Sequence, residues 1–323
     1  MMMVLAMCAY ILFPATPTRG QVAIRKVSAV DIETSVRNVC QSATITLPRN
    51  ISALQQQQLK TLIRRGDPVE VYLGYNGDLT VLEFSGHVVR TGADVPVKIE
   101  LKDALWPVLQ RSFNKAYKNA YVPDVIKDLV GDGFQVQAME ATIGPLRCEQ
   151  CTVADVLKKL ADDFGLVTYL KNGTVFCGKL LDADARTATY DQAKNIKSSD
   201  LKYRVADEVK LKVTAKSVKA TGEKLEVEVG DPDGEQRTLT YYGITSAAEL
   251  KKLATADMEK YKYDGYEGGF KGFGIPVCQH GDRVQLTDAQ YPERAGSYLA
   301  ESVAVSFGPG GFERDIKLAQ AWT

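Results

Sequence analysis

Residues 65–73 read RGDPVEVYL, and residues 280–286 read HGDRVQL. Each stretch begins with the pattern Gly-Asp-x-Val and continues with apolar residues at every second position. Alternation at period two is typical of a strand with one buried face and one solvent-facing side. We therefore expect a strand to begin at each Gly-Asp pair.

Two further alternating segments follow each copy of this motif. In the first half of the chain they are FSGHVVR at 84–90 and VKIELKD at 97–103. In the second half they are YLAESVAVS at 298–306 and RDIKLAQ at 314–320. Each copy thus predicts three consecutive half-buried strands.

The spacing of the two copies also repeats. Val69 and Val88 are separated by as many residues as Val284 and Val303, and the third segments fall within two residues of the same register. Chance similarity is the alternative explanation, because Gly-Asp before a strand is common turn chemistry.

A further pair of predicted strands precedes each copy. In the first half the pair is VDIET at 30–34 and ATITLP at 43–48, and in the second half it is DLKYRV at 200–205 and EVKLKVTAKS at 208–217. The sequence therefore predicts the same small antiparallel β domain at both ends of the chain.

The region between the copies has a different pattern, typical of an α+β fold. Residues 105–117 and 122–132 have helical character, and residues 151–165 predict a stronger helix with Thr152 as N-cap and Asp155 three positions on. A hairpin that turns at Asn-Gly is expected over 166–180.

The second half carries additional elements before its Gly-Asp motif. Residues 224–243 predict a hairpin, and residues 246–263 predict an amphipathic helix with a capping box formed by Ser246 and Glu249. The stretch GYEGGFKGFG at 265–274 is rich in glycine and aromatic residues, and its part GGFKGFG at 268–274 is expected to be a loop.

Cys148 and Cys151 form a Cys-x-x-Cys pair directly before the predicted helix at 151–165. Such a pair can be a thioredoxin-type redox centre, half of a zinc site, or two structural thiols. The parallel βαβ pattern of a redox fold is missing, and beyond the pair only Cys177 or a distant histidine could complete a metal site. We expect structural thiols without redox or metal function.

Other motifs point to ordinary structure. DPDGE at 231–235 lacks the glycine and glutamate positions of a calcium loop and predicts a turn. GGFKGFG at 268–274 follows a helix and opens no new one, so a phosphate-binding loop is not indicated. His87 lies inside a predicted strand and is interpreted as a core or face residue. Aspartate and glutamate are plentiful, so a catalytic carboxylate pair stays open as an alternative.

Composition narrows the function classes. Lysine plus arginine and aspartate plus glutamate number 40 each, so no net charge favours nucleic acid or an anionic membrane. The chain has only two histidines, which is few for imidazole-based catalysis. The apolar run at 1–13 is short for a bilayer span and is interpreted as a first strand, with a signal peptide as the alternative. Without export, the six cysteines are expected to be reduced.

The order of these motifs resembles a known family. The matching stretches are 27–49, 65–77 and 84–90 in the first half, and 199–217, 227–244 and 263–288 in the second half. They resemble the baseplate hub proteins of tailed phages and related contractile injection systems, the late-control-D-like tail proteins. The similarity covers nearly the whole chain, and its motifs are structural rather than catalytic.

The resemblance implies a mainly β fold with an α+β insertion. It predicts two tube-like antiparallel β-barrel domains, at 1–105 and 196–323, around a middle α/β region at 106–195, with a helical insertion at 246–264 of the second domain. Hub proteins of this family are trimers, so three chains would give six β domains in a pseudo-sixfold ring.

The resemblance further implies a structural role in the virion tail baseplate, after synthesis in the host cytoplasm. The expected partners are two further copies of the chain, a hexameric tail tube or tube-initiator protein, a trimeric central spike and a tape-measure protein. It implies no enzyme activity, no cofactor, no catalytic or metal residues, no sequence-specific nucleic acid and no membrane insertion. Two alternatives stay open, a small hydrolase of the tail tip and a secreted β-rich surface protein.

Overall fold

The computed structural model describes residues 5–49, 62–92, 95–179, 186–219 and 223–321. The described chain is mostly β, with large antiparallel sheets. Its apolar side chains form three cores: one among the strands from both ends of the chain, one in the middle region, and one beneath a helix near residue 250.

The alternating segments of the first third form antiparallel strands, as predicted. In the strand that follows the first Gly-Asp pair, Val69, Val71 and Leu73 are buried and the residues between them face outward. The strands of this part are β1 Met7–Phe13, β2 Val22–Ile24, β3 Ala29–Ser35, β4 Ser42–Thr46, β5 Pro68–Tyr75, β6 Leu82–Thr91 and β7 Lys98–Asp103.

The apolar run at the N-terminus contributes strand β1, as expected. Ile11 and Phe13 are buried in the main core, and β1 pairs with β5 on one edge and β2 on the other. Among the described residues, no helix is both long enough and apolar enough to span a bilayer.

The middle region combines short helices with two small sheets. Its elements are α1 Trp106–Leu109, β8 Ser112–Tyr117, α2 Val122–Val130, β9 Gln135–Ala138, β10 Leu146–Thr152, α3 Val153–Phe164, β11 Val167–Lys171 and β12 Thr174–Gly178.

Two predictions for this region are confirmed. Thr152 caps α3: its hydroxyl accepts the N–H of Asp155, whose carboxylate accepts the N–H of Thr152. The hairpin of β11 and β12 turns at Asn172 and Gly173, both with positive φ.

The helix predicted over 105–117 is wrong for most of its length. Only Trp106–Leu109 is helical, and β8 pairs with β10. Phe113 and Tyr117 are four residues apart, a spacing that suits a helix face and one face of a strand equally well. The segment forms a strand rather than a helix because pairing with β10 satisfies the backbone N–H and C=O groups of residues 112–117.

The last third holds the remaining strands and one long helix. They are β13 Thr187–Asp191, β14 Ile196–Ser199, β15 Lys202–Arg204, β16 Leu211–Val218, β17 Lys224–Gly230, β18 Glu235–Tyr242, α4 Ala247–Lys260, β19 Gly265–Glu267, β20 Gly269–Phe273, β21 Arg283–Thr287, β22 Gly296–Gly308 and β23 Gly311–Ala321, with short 3-10 turns at Ala206–Glu208 and Pro292–Arg294.

The two Gly-Asp motifs lie in strand units with the same order. The first unit runs β3-β4-β7-β6-β5, and the second runs β14-β20-β23-β22-β21. Gly66 donates its N–H to Val88 over 2.8 Å, and Gly281 donates to Ala300 over the same distance. The counterpart of Val88 is therefore Ala300, three residues from the Val303 that equal spacing suggested.

The predicted strand pair upstream of the second copy is half correct. Residues 200–205 do contain β15, which pairs with β19 beside β14 and β20. Residues 208–217 form β16, which belongs to a separate sheet with β17 and β18. The place that β4 has beside β3 is taken beside β14 by β20, which begins about seventy residues after β14 ends.

Strand β20 lies in the glycine-rich stretch, where the loop prediction is wrong. A Cβ at Gly272 would lie 3.0 Å from the ring of Tyr190, and one at Gly274 would overlap the ring of Phe312. The glycines therefore let aromatic side chains pack directly on the strand backbone.

The hairpin predicted over 224–243 is also wrong. Strands β17 and β18 do not pair with each other, because β16 lies between them. The connection crosses the start of β16, where a Cβ on Gly234 would lie 2.5 Å from the carbonyl carbon of Leu211. Helix α4 packs on this sheet, and Ser246 precedes it as the N-cap and accepts the Glu249 N–H. The reciprocal half of the predicted capping box is not formed.

The two units are joined edge to edge. Strand β3 of the first unit pairs with the C-terminal half of β22 of the second, so one hydrogen-bonded sheet runs through both. Strand β13, from the range assigned to the middle region, pairs with β21. Over the residues described, the ladders form an open path rather than a closed barrel.

Candidate functional site

The Cys-x-x-Cys pair lies in strand β10 rather than at a redox loop. Cys148 is buried, Cys151 is half-buried, and the Cys151 thiol contacts the carbonyl of Phe113 at 3.2 Å. Burial raises the pKa of Cys148, so its thiol is protonated at neutral pH. Cys177, considered as a third ligand, lies in β12, where burial raises its pKa to about 11.

Metal binding has no geometric support in the described parts of the chain. No group of three or more histidine, cysteine, aspartate or glutamate side chains there is placed to hold an ion. DPDGE forms a turn in which Gly234 donates its N–H to the carbonyl of Asp231.

The two histidines occupy different settings. His87 is half-buried in β6, and burial lowers its pKa. His280 is buried, donates from Nε2 to the Leu170 carbonyl at 3.0 Å, and packs edge-on against the Tyr169 ring. Burial lowers the pKa of His280 to about 4, which keeps the ring neutral under physiological conditions.

His280 belongs to a polar junction where the first unit, the middle region and the second unit meet. A cavity of about 380 Å³ lies at this junction. It is lined by residues of β3, β6, the β11–β12 turn, β22 and β23 and the loop before the second Gly-Asp motif.

Two buried ion pairs cross this junction. Lys171 Nζ lies 2.7 Å from Asp282 Oδ1, which connects the β11–β12 hairpin to the second unit. Arg314 of β23 forms a two-pronged pair with Glu83 of β6, one prong being 2.9 Å long, and its Nε donates to the Gly274 carbonyl at 2.8 Å. All four side chains are at least nine-tenths buried, so each charge depends on its partner.

A third polar group stabilises the end of the first unit. The Asp103 carboxylate accepts the N–H of Gln41 at 2.7 Å and that of Leu105 at 2.9 Å. Burial raises the pKa of Asp103 despite these hydrogen bonds. The Gln41 amide in turn bonds Ser35, which ends β3.

The Asp of each Gly-Asp motif has the same two functions. Asp67 accepts the N–H of Arg64 at 3.0 Å and lies 3.4 Å from the guanidinium of Arg19. Asp282 accepts the N–H of Gln279 at 2.8 Å and pairs with Lys171. In both units the carboxylate closes a turn and binds a cation from a hairpin outside the five strands.

These groups connect the two units and the middle region. The carboxylates at the junction are held by cations or backbone N–H groups, and the Cys40 thiol donates to Asp103 Oδ1 at 3.2 Å. Sequence reasoning missed Lys171, Glu83 and Arg314, because an ion pair between distant strands leaves no local pattern. Asp282 could have been found, since it repeats Asp67.

Comparisons with known proteins give structural matches only. No family model matches the chain, and no curated protein sequence matches it. A tail protein from Neisseria meningitidis matches with a TM-score of 0.62 and 16% identity over 97% of this chain and 96% of its own. The 43 kDa tail protein of prophage MuSo2 from Shewanella oneidensis matches with a TM-score of 0.62 and 14% identity over 96% of this chain and 98% of its own.

A third match extends beyond phages. An E. coli component of the type VI secretion system, described as structurally similar to the T4 bacteriophage tail proteins gp27 and gp5, matches with a TM-score of 0.57 and 8% identity. The alignment covers 92% of this chain and 74% of that protein. The chain therefore shares its fold, over nearly its whole length, with tail proteins of phages and with a component of a related secretion system.

Proposed function

We propose that this protein is a structural baseplate hub of a phage tail or of a related contractile injection system. Three copies form a ring that joins a hexameric tail tube, or its initiator, to a trimeric central spike. The tape-measure protein is a further candidate partner inside the ring. The protein acts in the virion tail by its interfaces and carries no catalytic site.

The observation that carries this proposal is the edge-to-edge joint between two units of the same strand order. A chain with two similar units, repeated three times, presents six similar surfaces to a sixfold tube while keeping threefold symmetry for a spike. The likeness to two tail proteins over almost their full length supports the same role.

The domain division belongs to this proposal. Residues 1–105 and 196–323 form the two tube-like β-barrel domains, with a helical insertion at 246–264, and residues 106–195 form the middle region. The buried ion pairs at the polar junction support a fixed arrangement of these parts, because separating the parts would leave buried charges without their partners.

The absence of an enzyme function is supported by how the polar groups are used. At the junction, the charged side chains pair with one another and with backbone groups across chain segments. Release of soluble fragments from peptidoglycan by the purified protein would favour the tail-tip hydrolase instead.

The experiment that tests the proposal measures oligomeric state and location. Light scattering on the purified chain should give three times the chain mass, or, after addition of the spike protein from the same system, the mass of three chains plus the bound spike. Electron microscopy should then show rings with a central channel. A monomer in both mixtures, together with absence of the chain from purified tail particles, would show that the protein is not a hub.

A further inference from the structure

One edge of the first unit is covered by the second unit of the same chain. On β3, Val30 pairs with Phe307 and Ser35 with Ser302 of β22. Beyond the ladder, Val36 donates its N–H to the carbonyl of Glu301 at 3.0 Å, and its side chain is 0% exposed.

The matching edge of the second unit can be identified from the ladders. Val88 pairs with Leu101 and its counterpart Ala300 pairs with Leu318, so Ile99 and Ile316, two residues earlier, are also counterparts. These isoleucines fix the correspondence of the next two strands in each unit.

Ile99 pairs with Ile45 of β4, which pairs with Val30. Ile316 pairs with Phe270 of β20, which pairs with Ser199. Ser199 therefore corresponds to Val30, and Val205, six residues later, corresponds to Val36.

This edge of the second unit is open. Asp200 donates its N–H to Gly269 at 3.1 Å, toward β20, and successive residues of a strand alternate in direction, so the N–H of Ser199 points to the other side. Within the ranges that the structure covers, β14 and β15 pair on one side only. Val205 is 40% exposed, whereas Val36 in the covered edge is fully buried.

The strand that could cover this edge follows from the same correspondence. Because Val88 matches Ala300, the end of β6 from Val89 to Thr91 matches Glu301 to Val303, the part of β22 where contact with β3 begins. Gly92 donates its N–H to Lys98 at 2.7 Å, toward β7, so the N–H of Thr91 points to the opposite edge. The ladder with β5 ends at His87, and the bonds of Val88 to Gly66 and Asp67 extend this contact by one residue.

We propose that the Tyr203–Val205 end of this edge binds the Val89–Thr91 end of β6 of a second copy of this chain. The contact repeats, between copies, the β3–β22 joint that links the two units within a copy. Unpaired strand edges attract a further strand, and a copy with a matching free edge is a suitable partner.

Charge does not oppose this contact. The ladder brings Arg204 opposite Arg90, but Arg204 is paired with Glu267, and Arg90 with Glu100. Each arginine thus carries its own counter-charge into the contact.

This inference rests on the proposed ring and names the strands that close it. Among the residues that the structure describes, two units joined by the β3–β22 ladder leave one β14–β15 edge and one β6 end without a strand partner on one side in each copy. The same contact can form between every two neighbouring copies, so a closed ring of copies leaves neither surface unpaired.

The experiment compares two variant pairs by sedimentation of the full chain over a range of concentrations. Val205→Lys places a charge at the proposed contact and should raise the concentration for half-assembly at least about tenfold. Leu253→Lys, at a side chain of α4 that is 37% exposed, should leave it unchanged. Thr91→Pro removes the N–H that points to this edge and should weaken assembly, whereas Thr91→Val keeps the N–H and should not.

A photo-crosslinking amino acid in place of Val205 supplies an independent readout that does not depend on folding of the proline variant. Mass spectrometry should map the adduct to residues 89–91 of a second copy. A trimer whose adduct maps elsewhere, or that assembles equally well with Val205→Lys, overturns the strand assignment and leaves the hub intact. A chain that stays monomeric at every concentration and with its spike overturns the ring itself.

Discussion

Lys171 and Asp282 form an ion pair of 2.7 Å, and their side chains are 7% and 0% exposed. The pair connects the turn of the β11–β12 hairpin to the second Gly-Asp motif. Its counterpart in the first unit is Arg19 with Asp67, at 3.4 Å. The repeated motif thus supplies more than a turn, because its carboxylate holds a neighbouring hairpin in place.

Replacing Lys171 with methionine should destabilise the protein strongly. The change leaves Asp282 buried without its main cation, and breaking a buried pair in this way costs about 3–5 kcal/mol. Urea unfolding at pH 7.5 measures the difference. Lys158→Met is the matched control: Lys158 pairs with Asp162 on the surface of α3, with 73% of its side chain exposed, and should change stability by less than about 0.5 kcal/mol. Equal losses in the two variants would contradict the importance of burial.

Stability should fall as the pH drops from about 6.5 to about 4, in part because of His280. Burial lowers the pKa of His280 to about 4, below the value of about 6.5 for an exposed histidine. The unfolded chain therefore binds a proton first, and the folded state loses stability until the pH reaches the folded pKa. The contribution is on the order of 3 kcal/mol.

The variant His280→Gln isolates this contribution. Glutamine has no titrating group but retains a side-chain N–H that can donate to the Leu170 carbonyl. The difference in unfolding free energy between the native chain and the variant should shrink as the pH falls through this range, because only the native chain loses this contribution. Other titrating groups, such as Asp103 with its raised pKa, contribute equally to both proteins, so their contributions cancel in the difference. A difference that stays constant from pH 7 to pH 4 would show that His280 does not titrate as described.

The strands that carry a period-two pattern were predictable, and the way they associate was not. The Gly-Asp motifs and the segments after them predicted β5, β6, β7, β21, β22 and β23. Thr152 and Asp155 predicted the start of α3, because a capping box needs only residues that are adjacent in sequence.

The failures share one physical cause. Residues 208–217 alternate as a strand should, but alternation does not say which sheet a strand joins. Residues 224–243 contain two real strands that pair with β16 rather than with each other. The glycines in and just after β20 suggested a loop. In the fold they leave space for the rings of Tyr190 and Phe312, which come from elsewhere in the chain and leave no sign in the local sequence. The same applies to Glu83 and Arg314, whose ion pair joins strands far apart in sequence.

The crossing of β16 can be tested with Gly234→Ala. The new methyl group would lie 2.5 Å from the Leu211 carbonyl carbon and 2.7 Å from the Lys212 nitrogen, both backbone atoms that cannot rotate away. We expect a loss of about 1–3 kcal/mol in thermal or urea unfolding. Gly133→Ala is the control, since a Cβ there meets nothing within 4 Å. If the two variants are equally stable, the connection does not pass so close to β16.

Changing both Cys148 and Cys151 to serine should leave assembly intact. Cys148 packs in the core of the middle region, so a modest stability loss of about 1–2 kcal/mol is expected from the buried hydroxyl. Light scattering and metal analysis of the purified protein supply the measurements. Zinc at one equivalent per chain in the native protein, lost in the double variant, would instead establish a metal site.

The pair of Arg314 and Glu83 should be strongly coupled in a double-mutant cycle. Arg314→Met and Glu83→Met each leave one charge stranded at a position that is 1% or 2% exposed, so each should cost about 3–5 kcal/mol. The double variant removes both charges, so no unpaired charge stays buried. Its loss of stability should therefore be smaller than the sum of the two single losses by at least about 1–2 kcal/mol. Arg90 and Glu100 form the comparison pair, with side chains 70% and 40% exposed, and their coupling should stay below about 1 kcal/mol.

Because Glu83 lies on β6 of the first unit and Arg314 on β23 of the second, strong coupling measured by urea unfolding would mean that the two units unfold together. Additive single losses, or two separate unfolding transitions in the native chain, would mean that the pair does not hold the units in one cooperative structure.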